Sequence, residues 1–151
     1  MNKNILFIGI AVTLAAVAYL LLIKKKANHK PVEVVFYNVE NLFDTVDDTT
    51  VWDDHFLPDS LKKWTNERYK KKLTDLAKVL TSISEDDLPE VIGLCEVENR
   101  KVVEDLFAKD SLKNGKFNII HEESPDFRGI DVALVYNSEL FSELHHEKIR
   151  Y

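Results

Sequence analysis

The chain has 151 residues, which leaves room for one modest domain. Residues 1–30 hold five of the 20 Lys and Arg and none of the 26 Asp and Glu, so residues 31–151 set 15 basic against 26 acidic side chains, a formal −11. That balance counts against non-specific binding to nucleic-acid backbones, where affinity comes from Lys and Arg neutralising phosphates, and the single Cys95 excludes an internal disulfide.

Ile5 to Ile23 is an unbroken apolar run of Ile, Leu, Val, Ala, Phe and Gly with single Thr and Tyr residues. At a 1.5 Å rise per residue it nearly spans a hydrocarbon core of roughly 30 Å, which predicts one N-terminal transmembrane helix acting as an anchor. The other reading is a cleaved signal peptide, whose apolar region usually runs about 7–15 residues. The small-residue triplet Ala16-Val17-Ala18 lies inside the run rather than after it, which speaks against cleavage. Lys24, Lys25, Lys26 and Lys30 follow the run and only Lys3 and the amino terminus precede it. The positive-inside rule then keeps the following domain in the cytoplasm, whereas cleavage would make it secreted; the side of the membrane stays open. Residues 1–30 are thus an anchor or signal segment with a basic flank, and residues 31–151 the folded domain.

Val32 to Tyr37 reads as a buried strand, β-branched and aromatic with only Glu33 polar. Asp44 to Asp59 is a loop dense in Asp, Thr and Pro, with Trp52 and Phe56 expected to pin it to the body. Arg68 to Leu80 predicts a helix with Tyr69, Leu73, Leu76, Ala77 and Leu80 on one face and Lys70, Lys71 and Lys72 facing water. A polar turn over 84–89 leads to a second strand, Val91 to Cys95, and a second helix from Arg100 to Ala108 buries Val102, Val103, Leu106 and Phe107. Asn114-Gly115 marks a turn before a strand from Phe117 to His121. A loop over 124–129 precedes a fourth strand, Ile130 to Tyr136, and Lys148 to Tyr151 reads as the approach to another. Strands alternating with helices define an α/β layered domain. Four strands leave one sheet face without an obvious cover.

Two of the strands end abruptly in Asn and Glu: Phe36-Tyr37-Asn38-Val39-Glu40-Asn41-Leu42-Phe43-Asp44 and Ile92-Gly93-Leu94-Cys95-Glu96-Val97-Glu98-Asn99. Strand ends in open α/β sheets are where ligands bind, and oxygen-rich ends point to one shared site for a hard cation such as Mg²⁺. Glu96 stands at the mouth of an apolar strand, where an unpaired carboxylate is costly; a cation resolves that cost, and so would pairing with Arg100 or a Lys. Asn38 is equally readable as a residue that ends a strand in a turn. Glu40 lies two residues on and, in an extended segment, faces the same way as Asn38; the bland alternative is an exposed loop Glu. Glu98 and Asn99 are helix-starting residues. Arg128 could fork onto a phosphate or close a salt bridge to Asp126 or Asp131. His121, His145 and His146 have no defensible ligand spacing.

These two blocks, followed by Ser124-Pro125-Asp126-Phe127-Arg128-Gly129-Ile130-Asp131-Val132-Ala133-Leu134-Val135-Tyr136, resemble three successive blocks of the endonuclease/exonuclease/phosphatase superfamily. That superfamily takes in deoxyribonuclease I, apurinic-site endonucleases, sphingomyelinases and inositol-polyphosphate phosphatases. The resemblance covers about residues 32–136 and implies the N-terminal half of a four-layered α/β sandwich of deoxyribonuclease I type, in which helices flank two packed sheets. It implies Glu96 as the main Mg²⁺ ligand (Mn²⁺ being the alternative ion), Glu40 as a second acidic metal contact, and Asn38 as the amide that orients the phosphate or a catalytic carboxylate. Asp131 joins Asn38 as a candidate catalytic residue, and Arg128 as the candidate for the substrate phosphate. Cys95 departs from the Gln that many members carry before the Glu.

The family's later motifs (a His near the phosphate, an Asp-x-Asn pair and a terminal Asp-His) do not occur in these 151 residues, so the expectation is an incomplete domain, inactive alone. The implied reaction is metal-dependent phosphodiester hydrolysis. Nucleic acid is the first candidate substrate; a phosphatase or phospholipase of the same superfamily comes second, since an anchor suits a lipid. A membrane-anchored remnant without catalysis is the reading from another class.

Overall fold

The computed structural model describes residues 31–84 and 87–149, so the anchor expected within residues 1–30 lies outside them. Among the described residues, no helix is long and apolar enough to cross a membrane. The elements run β1 (Val34–Leu42), α1 (Asn66–Ser82), β2 (Val91–Val97), α2 (Arg100–Phe107), β3 (Phe117–Glu122) and β4 (Asp131–Asn137), with short 3-10 turns at Asp54–Phe56 and Lys113–Gly115. They form an α/β fold with one mixed sheet in the order β1-β2-β4-β3. β1 runs parallel to β2, and β4 runs antiparallel to both β2 and β3.

Helix positions follow the apolar spacing. α1 buries Tyr69, Leu73, Leu76, Ala77 and Leu80, and α2 buries Val102, Val103, Leu106 and Phe107. Both stripes join Ile92, Leu94, Ala133 and Val135 of the sheet in one core. The register lines up Val35, Ile92, Val135 and Ile119 in one row across the sheet, and Tyr37, Leu94, Ala133 and His121 in another, both facing the helices. Each helix also starts on a side-chain cap: Thr65 accepts from the Arg68 N–H, and Asn99 Oδ1 accepts from the Val102 N–H at 3.0 Å. Asn99→Ala leaves that N–H unsatisfied and is expected to cost about 1 kcal/mol, read as a lowered denaturation midpoint with unchanged slope.

Among the described residues, nothing covers the opposite sheet face. β1 is not the buried strand its composition predicts: Val34 and Phe36 are 70% and 75% exposed, and Val132 and Leu134 of β4 lie outward as well. The Phe36 ring covers Gly93 of β2, where an added Cβ would stand 2.5 Å from it, so the glycine admits a cross-strand aromatic. Of the loop anchors, Phe56 stacks on Phe43 with centroids 4.1 Å apart and meets Trp64 edge-on. Trp52 is half exposed and stacks on Phe127 instead. No strand occurs at 148–149; the tail is held to β3 by side chains, with His146 Nε2 3.0 Å from Glu122 and Lys148 donating to the Glu123 carbonyl.

Candidate functional site

β1 and β2 both break regular pairing at the same end. The β1–β2 register shifts between Asn38 and Leu42, and the β2–β4 register shifts between Cys95 and Val97. The shifts coincide with left-handed backbone at Glu40 (φ 54°), Asn41 (φ 62°) and Glu96 (φ 64°), none of which is glycine. Conformations of that kind cost on the order of 1–3 kcal/mol each and persist where the surroundings over-determine them. Bulges on neighbouring strands re-aim side chains, and here Glu96 meets Asn38 across the two strands. β1 therefore continues through Glu40 rather than ending before it, and Asn38 and Glu40, both exposed on either side of buried Val39, keep the two-residue alternation expected of them.

Asn38 and Glu96 meet. Asn38 Nδ2 donates to Glu96 Oε1 at 2.8 Å, while Asn38 Oδ1 accepts the Glu40 N–H at 2.7 Å, so both ends of the amide are engaged and its orientation follows. Glu96 does not pair with Arg100, which instead bonds Glu104 at 2.9 Å and the Ile119 carbonyl at 3.0 Å. Among the described residues, Glu96 makes no ion pair, and Oε2 has no hydrogen-bond partner. A half-buried carboxylate with one oxygen fixed and one free is a hard-oxygen donor of the kind that suits Mg²⁺ or Mn²⁺. Cys95 stays out of this chemistry, its thiol pushed up by burial and then by the Glu96 charge.

Lys72 is the residue that the sequence reading misplaced. It does not face water: it is half-buried, donates to the Glu40 carbonyl at 2.5 Å and lies 5.8 Å over the Trp64 ring. Burial pushes its ammonium below the usual lysine range, with the charges of Glu40 and Glu96 opposing that shift. The clue was present in the sequence, since Lys72 follows Tyr69 by three and precedes Leu76 by four, on the flank of the buried stripe. Lys72, Arg68, Trp64, Tyr37, Asn38 and Glu40 line an open pocket of about 400 Å³ between β1 and α1.

Arg128 forks onto Asp126 (Nε–Oδ1 3.0 Å, Nη2–Oδ2 2.7 Å), the alternative weighed for it, and the exposed guanidinium lies within the field of Glu96. Asp131 is buried and faces the helix side. Its Oδ1 accepts the Ser124 N–H at 2.6 Å, its Oδ2 lies 3.1 Å from His121 Nε2, and no hydrogen bond joins it to Asn38 or Glu96. His121, assigned no ligand role from spacing, is thus one of a close group with Glu123 and Asp131. Asn99 caps α2 as expected, but Glu98 is more than a helix starter: it is buried and accepts the Asp44 N–H at 2.7 Å.

With this geometry in hand, the family is plain. A profile of the Endonuclease/Exonuclease/phosphatase family matches residues 33–151, nearly the whole described domain, and the chain belongs to that family. Its members are in general hydrolases that depend on a divalent metal. No curated protein and no solved structure gives a significant match to this chain.

Proposed function

We propose that the chain carries one side of a Mg²⁺- or Mn²⁺-dependent phosphodiesterase site of nuclease type. The observation that carries this reading is the Asn38–Glu96 hydrogen bond set between matching bulges, with a free carboxylate oxygen beside it. Glu96 would hold the ion, with Glu40 as a second acidic contact. Bound there, the ion would neutralise charge on the phosphoryl oxygens of a substrate. Asn38 fixes the Glu96 carboxylate through Nδ2 and is itself fixed by the Glu40 N–H. Lys72 and Arg128 flank Glu96 without pairing to it, and supply positive charge for the phosphate from α1 and from the β3–β4 loop. Asp131, buried against His121, takes a positioning role in this scheme rather than contact with substrate.

The domain reads as part of a four-layered α/β sandwich. Both helices lie on one face of the sheet, and Val34, Phe36, Val132 and Leu134 present apolar surface on the other, the arrangement a second packed sheet would bury. The remaining groups of the site, including a base to activate water, would come with that second layer. Nucleic acid is the favoured substrate because cationic Arg68 and Lys72 line the pocket beside Asn38. The apolar run before the domain would hold it at a membrane.

The test is incubation of the purified 151-residue chain with plasmid DNA and Mg²⁺. The expected result is no cleavage above background. Robust cleavage abolished by Glu96→Gln would contradict the one-sided site, and hydrolysis of a phospholipid instead of DNA would favour the lipid reading.

A further inference from the structure

At the same end of the sheet, but on its helix-covered face, a second group of donors comes together. The row containing Asn38 and Cys95 continues across the sheet through Val132 and Glu122, on the open side; His121 belongs to the opposite row, with Tyr37, Leu94 and Ala133. Asp131 lies two residues before Ala133 on β4 and so shares the helix side with His121, while Glu123 follows directly on the end of β3. One ligand atom from each lies within 4.8 Å of the others. The His121 and Asp131 side chains are almost wholly enclosed, 4% and 1% exposed.

The two stand at ion-pair distance but not in the geometry of a directed hydrogen bond. His121 Nε2 and Asp131 Oδ2 approach to 3.1 Å, yet each is a buried polar atom with no hydrogen-bond partner. Native proteins rarely leave two such atoms unsatisfied side by side. Two donors that share an ion at about 2.0–2.2 Å each, with a near-tetrahedral angle, stand about 3.3–3.6 Å apart without pointing at each other, a few tenths of an ångström beyond the 3.1 Å seen here. Asp131 is prepared for that role: the Ser124 N–H holds Oδ1, leaving Oδ2 towards His121, the outer-shell support typical of a metal carboxylate. Glu123, exposed at the end of β3, supplies the third donor from the solvent side.

We propose that His121, Glu123 and Asp131 form a second metal site, distinct from the Asn38–Glu96 site, that takes a transition-metal dication of the Zn²⁺ class. An imidazole nitrogen among the donors favours such an ion over Mg²⁺, which prefers an all-oxygen shell. The site joins the end of β3 to the start of β4 and so clamps the intervening loop that carries Arg128. It rests on none of the assignments at Glu96.

The test uses the full chain in mild detergent, stripped of metal with a chelator and titrated with Zn²⁺ against a chromogenic competitor, with Co²⁺ as the spectroscopic probe. The expected result is tight stoichiometric binding and visible Co²⁺ d–d absorption, both weakened at least about 10-fold in His121→Gln and in Glu123→Gln. Glu123 is exposed, so its variant keeps the fold even if the buried histidine variant does not. Glu96→Gln and His146→Ala should leave Zn²⁺ affinity unchanged. Absence of binding to the wild-type chain, equal binding by Glu123→Gln, or a loss that follows His146 rather than Glu123 would overturn the proposal.

Discussion

Replacing Glu96 with Gln is expected to weaken Mg²⁺ and Mn²⁺ binding by at least about 100-fold while leaving the fold intact. The size follows from charge: a unit charge pair at 4 Å is worth roughly 4 kcal/mol at an effective dielectric of 20, and the ion carries two charges. Gln keeps an oxygen to accept from Asn38 Nδ2, so the 2.8 Å contact and the bulge survive and the loss reports the missing charge. Calorimetric titration with Mn²⁺ on both proteins, with matched circular dichroism, measures it. An affinity equal to wild type would remove Glu96 from the metal site and leave its left-handed backbone without a functional reason.

The second large effect lies at Glu98. Burial pushes its carboxyl up from 4.5 to about 8, against the opposing Asp44 N–H bond, and the charges of Asp44, Asp53 and Asp48 add to the rise. Only 5% of this residue is exposed, so solvent screens the effect little. The folded chain therefore holds a proton that the unfolded chain releases between pH 4.5 and 8. Stability from this group is fully present below pH 4.5 and is lost as pH rises through about 8. At 1.36 kcal/mol per pKa unit the swing is on the order of 5 kcal/mol. Asp53, also raised, first by its own burial, acts in the same direction. Glu98→Gln keeps an acceptor for the Asp44 N–H and removes the titration. It is expected to match wild type near pH 4.5 and to exceed it by a few kcal/mol at pH 8, as read by urea denaturation across that range. Parallel pH profiles for the two proteins would contradict the assignment.

Much of the fold was legible because its signals are local. Both helix stripes, Tyr69 to Leu80 and Val102 to Phe107, follow from three- and four-residue spacing alone, and all four strands lie where β-branched runs end in turn residues. What escaped is what only pairing decides. Val34 and Phe36 look like core residues by type, yet their face of the sheet is uncovered among the described residues. The bulges at Glu40–Asn41 and Glu96 have no residue signature, since none of the three is glycine and each conformation is imposed by the neighbouring strand. Asn38 and Glu96 were readable as partners because each closes an apolar run. His121 and Asp131 were not: nine residues of loop and strand separate them, and only the antiparallel turn of β3 onto β4 brings them together. Lys72 was hidden inside a run of three lysines, where composition argues for solvent and geometry decides otherwise.

A divalent ion at the paired bulges of β1 and β2 would report its own position. The most direct measurement is paramagnetic broadening of backbone amide resonances on sub-stoichiometric addition of Mn²⁺ to the isotope-labelled chain. The amides of Asn38, Glu40, Asn41 and Glu96 are expected to broaden first, and Glu96→Gln is expected to abolish their broadening. Broadening confined to residues around His121 and Asp131, with the Asn38 and Glu96 signals untouched, would contradict it.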